Sequence, residues 1–222
     1  LLNLSRFKGK IERFPAKKKQ AFESWIEKHR RELLEALCEA LGSPRYKTLE
    51  RRITHFLESP LPLRPRAPLA VKTVREGAPV LIIDKFEAAI KQGATVLAKP
   101  KLKEFHRLRI QMKRLRYACE FMAPAYDDAV DSFIERTVEI QDCLGELQDT
   151  VFTRKFVDSL CDDWRGKPVD PDLLFILGEI YQLQAEIAHE RREAFGKIWE
   201  PFSSEETAAL LKGILLGQPA AE

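Results

Sequence analysis

Apolar residues recur at three- and four-residue spacing through nearly all of this 222-residue chain, and that period calls for helices. Phe22, Trp25, Ile26, Leu33, Leu34, Leu37 and Leu41 form one series, which follows Pro15 and is closed by Gly42. Ser43-Pro44 reads as an N-cap with proline at the first helical position. Tyr46, Leu49, Ile53, Phe56 and Leu57 carry that helix to the residues before Pro60. Val130, Phe133, Ile134, Val138, Ile140 and Leu144 mark the core face of a long helix over roughly 126–160. Further helices are expected near 1–12, 80–98, 172–198 and 204–217. No segment alternates as a strand would, so the expected fold class is all-α and bundle-like.

Pro60, Pro62, Pro65, Pro68 and Pro79 interrupt this pattern. Each fixes its own backbone and removes an amide donor, so residues 59–79 are expected to form an extended linker. The linker divides the chain into a first half, 1–58, and a second half, 80–222.

The densest chemistry lies between Lys99-Pro100 and Ala123-Pro124. His106-Arg107-Leu108-Arg109-Ile110-Gln111-Met112-Lys113-Arg114-Leu115-Arg116-Tyr117 packs one histidine and five cations into about three turns. His106, Arg109, Lys113, Arg116 and Glu120 are expected on one narrow stripe, with Leu108, Met112, Leu115, Cys119 and Met122 on the opposite side. A row of cations repels itself unless an anion or a set of carboxylates lies against it. Glu120 is expected to hold Arg116 as a salt-bridge partner rather than serve as a general base.

Net charge is only +3, but it is unevenly placed. Residues 1–31 carry net +7, residues 101–122 net +5 and residues 123–163 net −8. Separate basic and acidic surfaces follow, and the basic ones call for an anionic partner. The competing reading is that the acidic segment pairs with the basic helix inside the bundle. Arg45, Lys47, Arg51 and Arg52 form a second basic cluster, and Lys17-Lys18-Lys19 a third that reads as solvated surface. Arg154 and Lys155 are weaker candidates.

Several chemistries lack their signatures. His29, His55, His106 and His189 have no second His or Cys within three to five residues, so no metal site is expected. No GxxxxGK[ST] or GxGxxG phosphate loop, HExxH or GxSxG occurs. The basic stripe offers one carboxylate, whereas phosphoryl transfer needs a set of them holding metal ions. A binding module without catalytic residues or a cofactor is therefore expected. No apolar run reaches membrane-spanning length, so no membrane partner is expected. Cys38, Cys119, Cys143 and Cys161 form no CxxC pair and read as small buried thiols of a cytoplasmic protein. Gly145, inside the long helix, suggests close helix packing or a kink.

Three stretches together resemble the CHAD family, the conserved histidine α-helical domain. They are His106-x-x-Arg109-x-x-x-Lys113-Arg114-Leu115-Arg116-Tyr117, then Leu144-Gly145-Glu146-Leu147-Gln148-Asp149, and Ser43-Pro44-Arg45-Tyr46 in the first half. The resemblance implies a single domain over 1–222. It implies two similar helical halves, each a roughly four-helix bundle with its own histidine-and-arginine helix. It also implies binding of inorganic polyphosphate in a basic channel between the halves.

The second basic helix is complete here, while the first is not visible in residues 1–58. The family's acidic turn is replaced by Arg6-Phe7-Lys8-Gly9-Lys10, and the chain opens on Leu1 rather than Met. The first motif is expected to be missing or diverged.

Polyphosphate has no base, sugar or apolar face, so its ligands should be cations and hydrogen-bond donors. Arg109 and Arg116 can fork onto phosphate oxygens, Lys113 acts as a point charge, and His106, Arg114 and Tyr117 can add donors. Arg45, Lys47 and Arg51 are candidates for the other wall of the channel. Family members occur fused to triphosphatase-like domains, so such a neighbour, or a homo-oligomer, is a further expectation, as is location at polyphosphate granules. The alternatives are a nucleic-acid-binding helical protein or a scaffold for acidic protein surfaces. Nucleic acid is the poorer match, because no aromatic platform or recognition helix accompanies the cations.

Overall fold

The computed structural model describes residues 15–60, 69 and 71–217. The helix expected near 1–12, the Arg6–Lys10 turn and Pro62, Pro65 and Pro68 lie outside the described residues. Among those described, the chain is an all-α bundle of seven α-helices with no strand. In chain order they are α1 (Ala16–Gly42), α2 (Pro44–Glu58), α3 (Val74–Ala98), α4 (Leu102–Met122), α5 (Asp131–Asp163), α6 (Pro171–Phe202) and α7 (Glu205–Leu216). Two short 3-10 turns, Ala123–Ala125 and Asp127–Val130, join α4 to α5.

These helices supply two compact units. One comprises α3, α4, α7, α5 as far as Phe156 and α6 from Gln182; the other comprises α1, α2 and Val157–Tyr181.

The core of the first unit is aromatic. Phe86, Phe133 and Phe202 meet with ring centroids 5.7–5.9 Å apart. Trp199 stacks on Phe195 at 5.5 Å, and Phe195 meets Phe105 edge-on at 5.4 Å. Gly93 of α3 lies under the Trp199 indole, which occupies the space a Cβ would need. α4 enters this core through Phe105, Leu108, Met112, Leu115 and Cys119, all buried. Each large apolar side chain contributes roughly 1.5–3 kcal/mol. Repulsion between like charges at i,i+4 costs only about 0.2–0.5 kcal/mol per pair. Packing therefore holds α4 helical despite its cations.

The linker expected to run to residue 79 ends earlier, because α3 begins at Val74. A capping box starts it: Glu76 N–H donates to Thr73 Oγ1 at 3.3 Å, and Thr73 N–H donates to Glu76 Oε2 at 2.8 Å. The Thr73 N–H and the Thr73 hydroxyl, both donating to Glu76 Oε2, hold the Glu76 carboxyl below its ordinary range. Pro79 then sits inside the helix, where it has no N–H for the Arg75 carbonyl four residues back. The buried Tyr126 supplies the missing donor, its hydroxyl donating to Arg75 O at 3.2 Å. Burial pushes the Tyr126 hydroxyl up.

In the second unit Phe22 and Ile26 of α1 are buried, as are Leu160, Leu173, Ile176, Leu177 and Ile180. Trp25 stacks on His29 at 5.6 Å and meets Trp164 edge-on at 5.5 Å. Ser43 caps α2 as its sequence indicates, accepting from Tyr46 N–H at 3.3 Å, with Pro44 in the first turn. α2 has no buried residue.

Candidate functional site

Leu102 to Met122 form one uninterrupted helix, so the cationic stripe exists as a stripe. Its position on the helix differs from expectation. Arg109, Lys113 and Arg116 each follow a buried residue by one, and one residue turns the helix by about 100° rather than 180°. They therefore lie on the flank of the buried face and are half-buried. The side truly opposite the core carries Arg107, Ile110, Arg114, Tyr117 and Phe121, all exposed. Arg114 and Tyr117 thus belong to the outer face and not to the stripe.

The two richest sequence motifs meet side by side. His106 Nδ1 lies 2.9 Å from Gln148 Oε1 on α5, and Arg109 Nε lies 4.0 Å from where a Cβ of Gly145 would stand. Pairing 106 with 148 and 109 with 145 makes α4 and α5 antiparallel neighbours here. α5 runs through Gly145 without interruption, and a methyl there would meet Arg109 Nε at an ordinary contact distance. Glu146, next along, pairs with Arg191 of α6 at 2.9 Å.

Two cations of the helix are neutralised locally. Arg116 Nε donates to Glu120 Oε1 at 2.6 Å, the pairing expected from the sequence, and this bond raises the guanidinium pKa further. Arg107 pairs with Glu104 at 2.9 Å. The Glu104 carboxyl is held below its ordinary range by Gln92 first and Arg107 second.

Arg109, Lys113 and Arg114 have no carboxylate partner among the described residues, and no ion pair there joins α4 to the acidic residues of α5. Arg109 goes further: its Nε is buried without a hydrogen-bond partner. A buried guanidinium N–H is normally satisfied, and leaving a charged donor unpaired costs about 1–3 kcal/mol or more.

The second basic cluster is differently placed. Arg45, Lys47 and Arg51 are exposed on α2, in the other compact unit, and among the described residues only Arg51 of the three reaches a partner, the Thr48 hydroxyl at 3.3 Å. Sequence reasoning assigned no role to Gln148. The signal was its three-residue spacing from Gly145, which puts both on the face of α5 that meets α4.

Not all cysteines are buried. Cys119 and Cys143 are, but Cys38 and Cys161 are exposed: Cys38 lies among the open Leu34, Leu37 and Leu41, and Cys161 follows the buried Leu160 by one residue, which turns it off the covered face. No helix among the described residues is long and apolar enough to cross a membrane.

The class defined by this fold and helix is an all-α protein that carries uncompensated cations on the flank of a packed helix. The chain belongs to the CHAD family: the CHAD domain model matches residues 3–158, well over half of it. That span includes both motifs that meet between α4 and α5. No curated protein matches the chain.

Proposed function

We propose that this protein binds inorganic polyphosphate through α4, as a binding module and not an enzyme. Arg109 and Lys113 are the principal ligands, with His106, Arg114, Arg116 and Tyr117 contributing donors or charge. The carrying observation is Arg109, half-buried with an unpartnered buried Nε, one turn from Lys113, which also lacks a carboxylate. An anion against the accessible part of this guanidinium would offset the cost of burying its charge. The association of CHAD domains with polyphosphate supports the choice of anion. The helix is fixed by five buried side chains, which lowers the ordering cost of binding. Cytoplasmic location at polyphosphate granules is part of the same proposal.

The test is binding of long-chain polyphosphate to the full chain. Arg109→Ala should weaken it about tenfold or more, the scale of a lost charge-assisted hydrogen bond. Affinity should fall with salt at roughly 0.7 log units per phosphate engaged, by analogy with single-stranded nucleic acid. Arg45→Ala with Arg51→Ala measures the share of α2. RNA or DNA that displaces polyphosphate at equal phosphate concentration would favour the nucleic-acid reading instead.

A further inference from the structure

The contact between His106 and Gln148 gives the site a proton requirement. Gln148 presents its amide oxygen to His106 Nδ1 at 2.9 Å. An amide oxygen only accepts, so with the Gln148 amide placed this way round Nδ1 carries the hydrogen. A neutral imidazole with its hydrogen on Nδ1 has a bare lone pair on Nε2. Phosphate oxygens along a polymer are acceptors too, so Nε2 and phosphate repel one another in that state. Nε2 becomes a donor only when the ring takes up a second proton. The same step adds a positive charge to the end of the cationic stripe.

We infer that polyphosphate binding at this helix is coupled to protonation of His106, with Gln148 as the positioning residue that fixes the tautomer. The inference rests on the polyphosphate reading and adds its regulation by pH. Glutamine at position 148 is suited to this role. A carboxylate there would favour the imidazolium before any ligand arrived. A leucine would leave the neutral ring free to place its hydrogen on Nε2.

The charged surroundings do not supply a substitute for the ligand. On α4 itself the neighbours one turn away are Lys103 and Arg109, both cations and neither a carboxylate. On α5, Glu146 is engaged by Arg191 of α6 at 2.9 Å, and Asp149, beside Gln148, makes interactions of its own. α3 meets α4 through Gln92, which bonds Glu104 and not His106.

The sign follows directly. Binding selects the protonated ring, so affinity rises as pH falls through the range in which histidines titrate, by at most about tenfold per pH unit for one linked proton. Long polymers keep chain-end ionisation a minor contribution, so the dependence belongs to the protein.

The experiment is calorimetric titration of the full chain with long-chain polyphosphate, in two buffers of unlike ionisation enthalpy near neutral pH. The expected result is uptake of up to one proton per bound site. His106→Gln should abolish the uptake and weaken binding on the acid side of neutrality, where the protonated ring contributes. Gln148→Leu should reduce the uptake, since the neutral ring can then donate from Nε2. Arg109→Ala should weaken binding and leave the uptake in place. Binding without uptake, or uptake that survives His106→Gln, overturns the proton coupling alone. Absence of binding at every pH overturns the polyphosphate reading, and the coupling with it. His106 is exposed, so its replacement leaves the core intact, and a circular dichroism melt checks each variant.

Discussion

α4 and α2 are both amphipathic, both cationic and both shorter than their neighbours, yet they meet opposite fates. α4 buries five side chains along one face. α2 buries none: Tyr46, Leu49 and Ile53 are about half exposed, and Phe56 is 78% exposed. The last turns of α1, with Leu33, Leu34, Leu37 and Leu41, are similarly open. A helix is held in proteins mainly by what its apolar face packs against. A cation on α4 therefore has a fixed position because of the residues beneath it, whereas Arg45, Lys47 and Arg51 stand on a helix that lacks such a foundation. The comparison ranks the two clusters as ligands without reference to charge count.

The largest expected effect tests the foundation of α4. In Gly93→Ala the new methyl overlaps the Trp199 indole, which is itself stacked on Phe195 and in contact with Phe202 at 5.5 Å. Indole, ring stack and helix cannot all stay in place. A loss of about 3 kcal/mol or more is expected, at the upper end for overpacking. Gly42→Ala, at the end of α1 where nothing lies within 4 Å, should stay within about 0.5 kcal/mol. Urea unfolding measures both, and equal losses would erase the contrast.

A paired truncation sharpens it. Leu115 is fully buried, so Leu115→Ala should cost about 2–5 kcal/mol. Ile53 is half exposed, so Ile53→Ala should cost less than about 1 kcal/mol. A loss at Ile53 as large as that at Leu115 would mean that the apolar face of α2 is covered in solution.

What the sequence made legible was local. Ser43-Pro44 announces a helix start because the cap and the proline act within one turn. Arg116 and Glu120 were readable as a pair because i,i+4 neighbours meet on any helix. The helix through Pro79 was not readable, because the group that satisfies the stranded Arg75 carbonyl is Tyr126, 51 residues away in the chain. Gln148 stands in a motif the sequence displays, but its role was not readable for the same reason: it exists only once α5 lies antiparallel to α4. The flank position of the cations was available from the 100° step alone, but an apolar set and a charged set one residue apart are easily mistaken for opposite faces. Which of two amphipathic helices would be buried was not available at all, since their patterns are alike and only tertiary packing separates them.

The mildest probe changes no residue. Burial pushes the Cys119 thiol up to about 12 and raises that of Cys143 as well, while Cys38 and Cys161 are exposed. The thiolate is the reactive form, so a high pKa and poor access act together to silence the two buried thiols. At about pH 8, where an ordinary thiol near 8.5 is partly ionised, a disulfide reagent should therefore titrate two thiols in the native protein and four in denaturant. Cys38 makes this a test of the comparison, since it sits on α1 between Leu37 and Leu41, within the open stretch. Rapid reaction there alongside silence at Cys119 would match the contrast between an unfounded helix and a packed one. Protection of Cys38 in the native protein would show that the α1–α2 face is covered, and the cations of α2 would then regain an equal standing with those of α4.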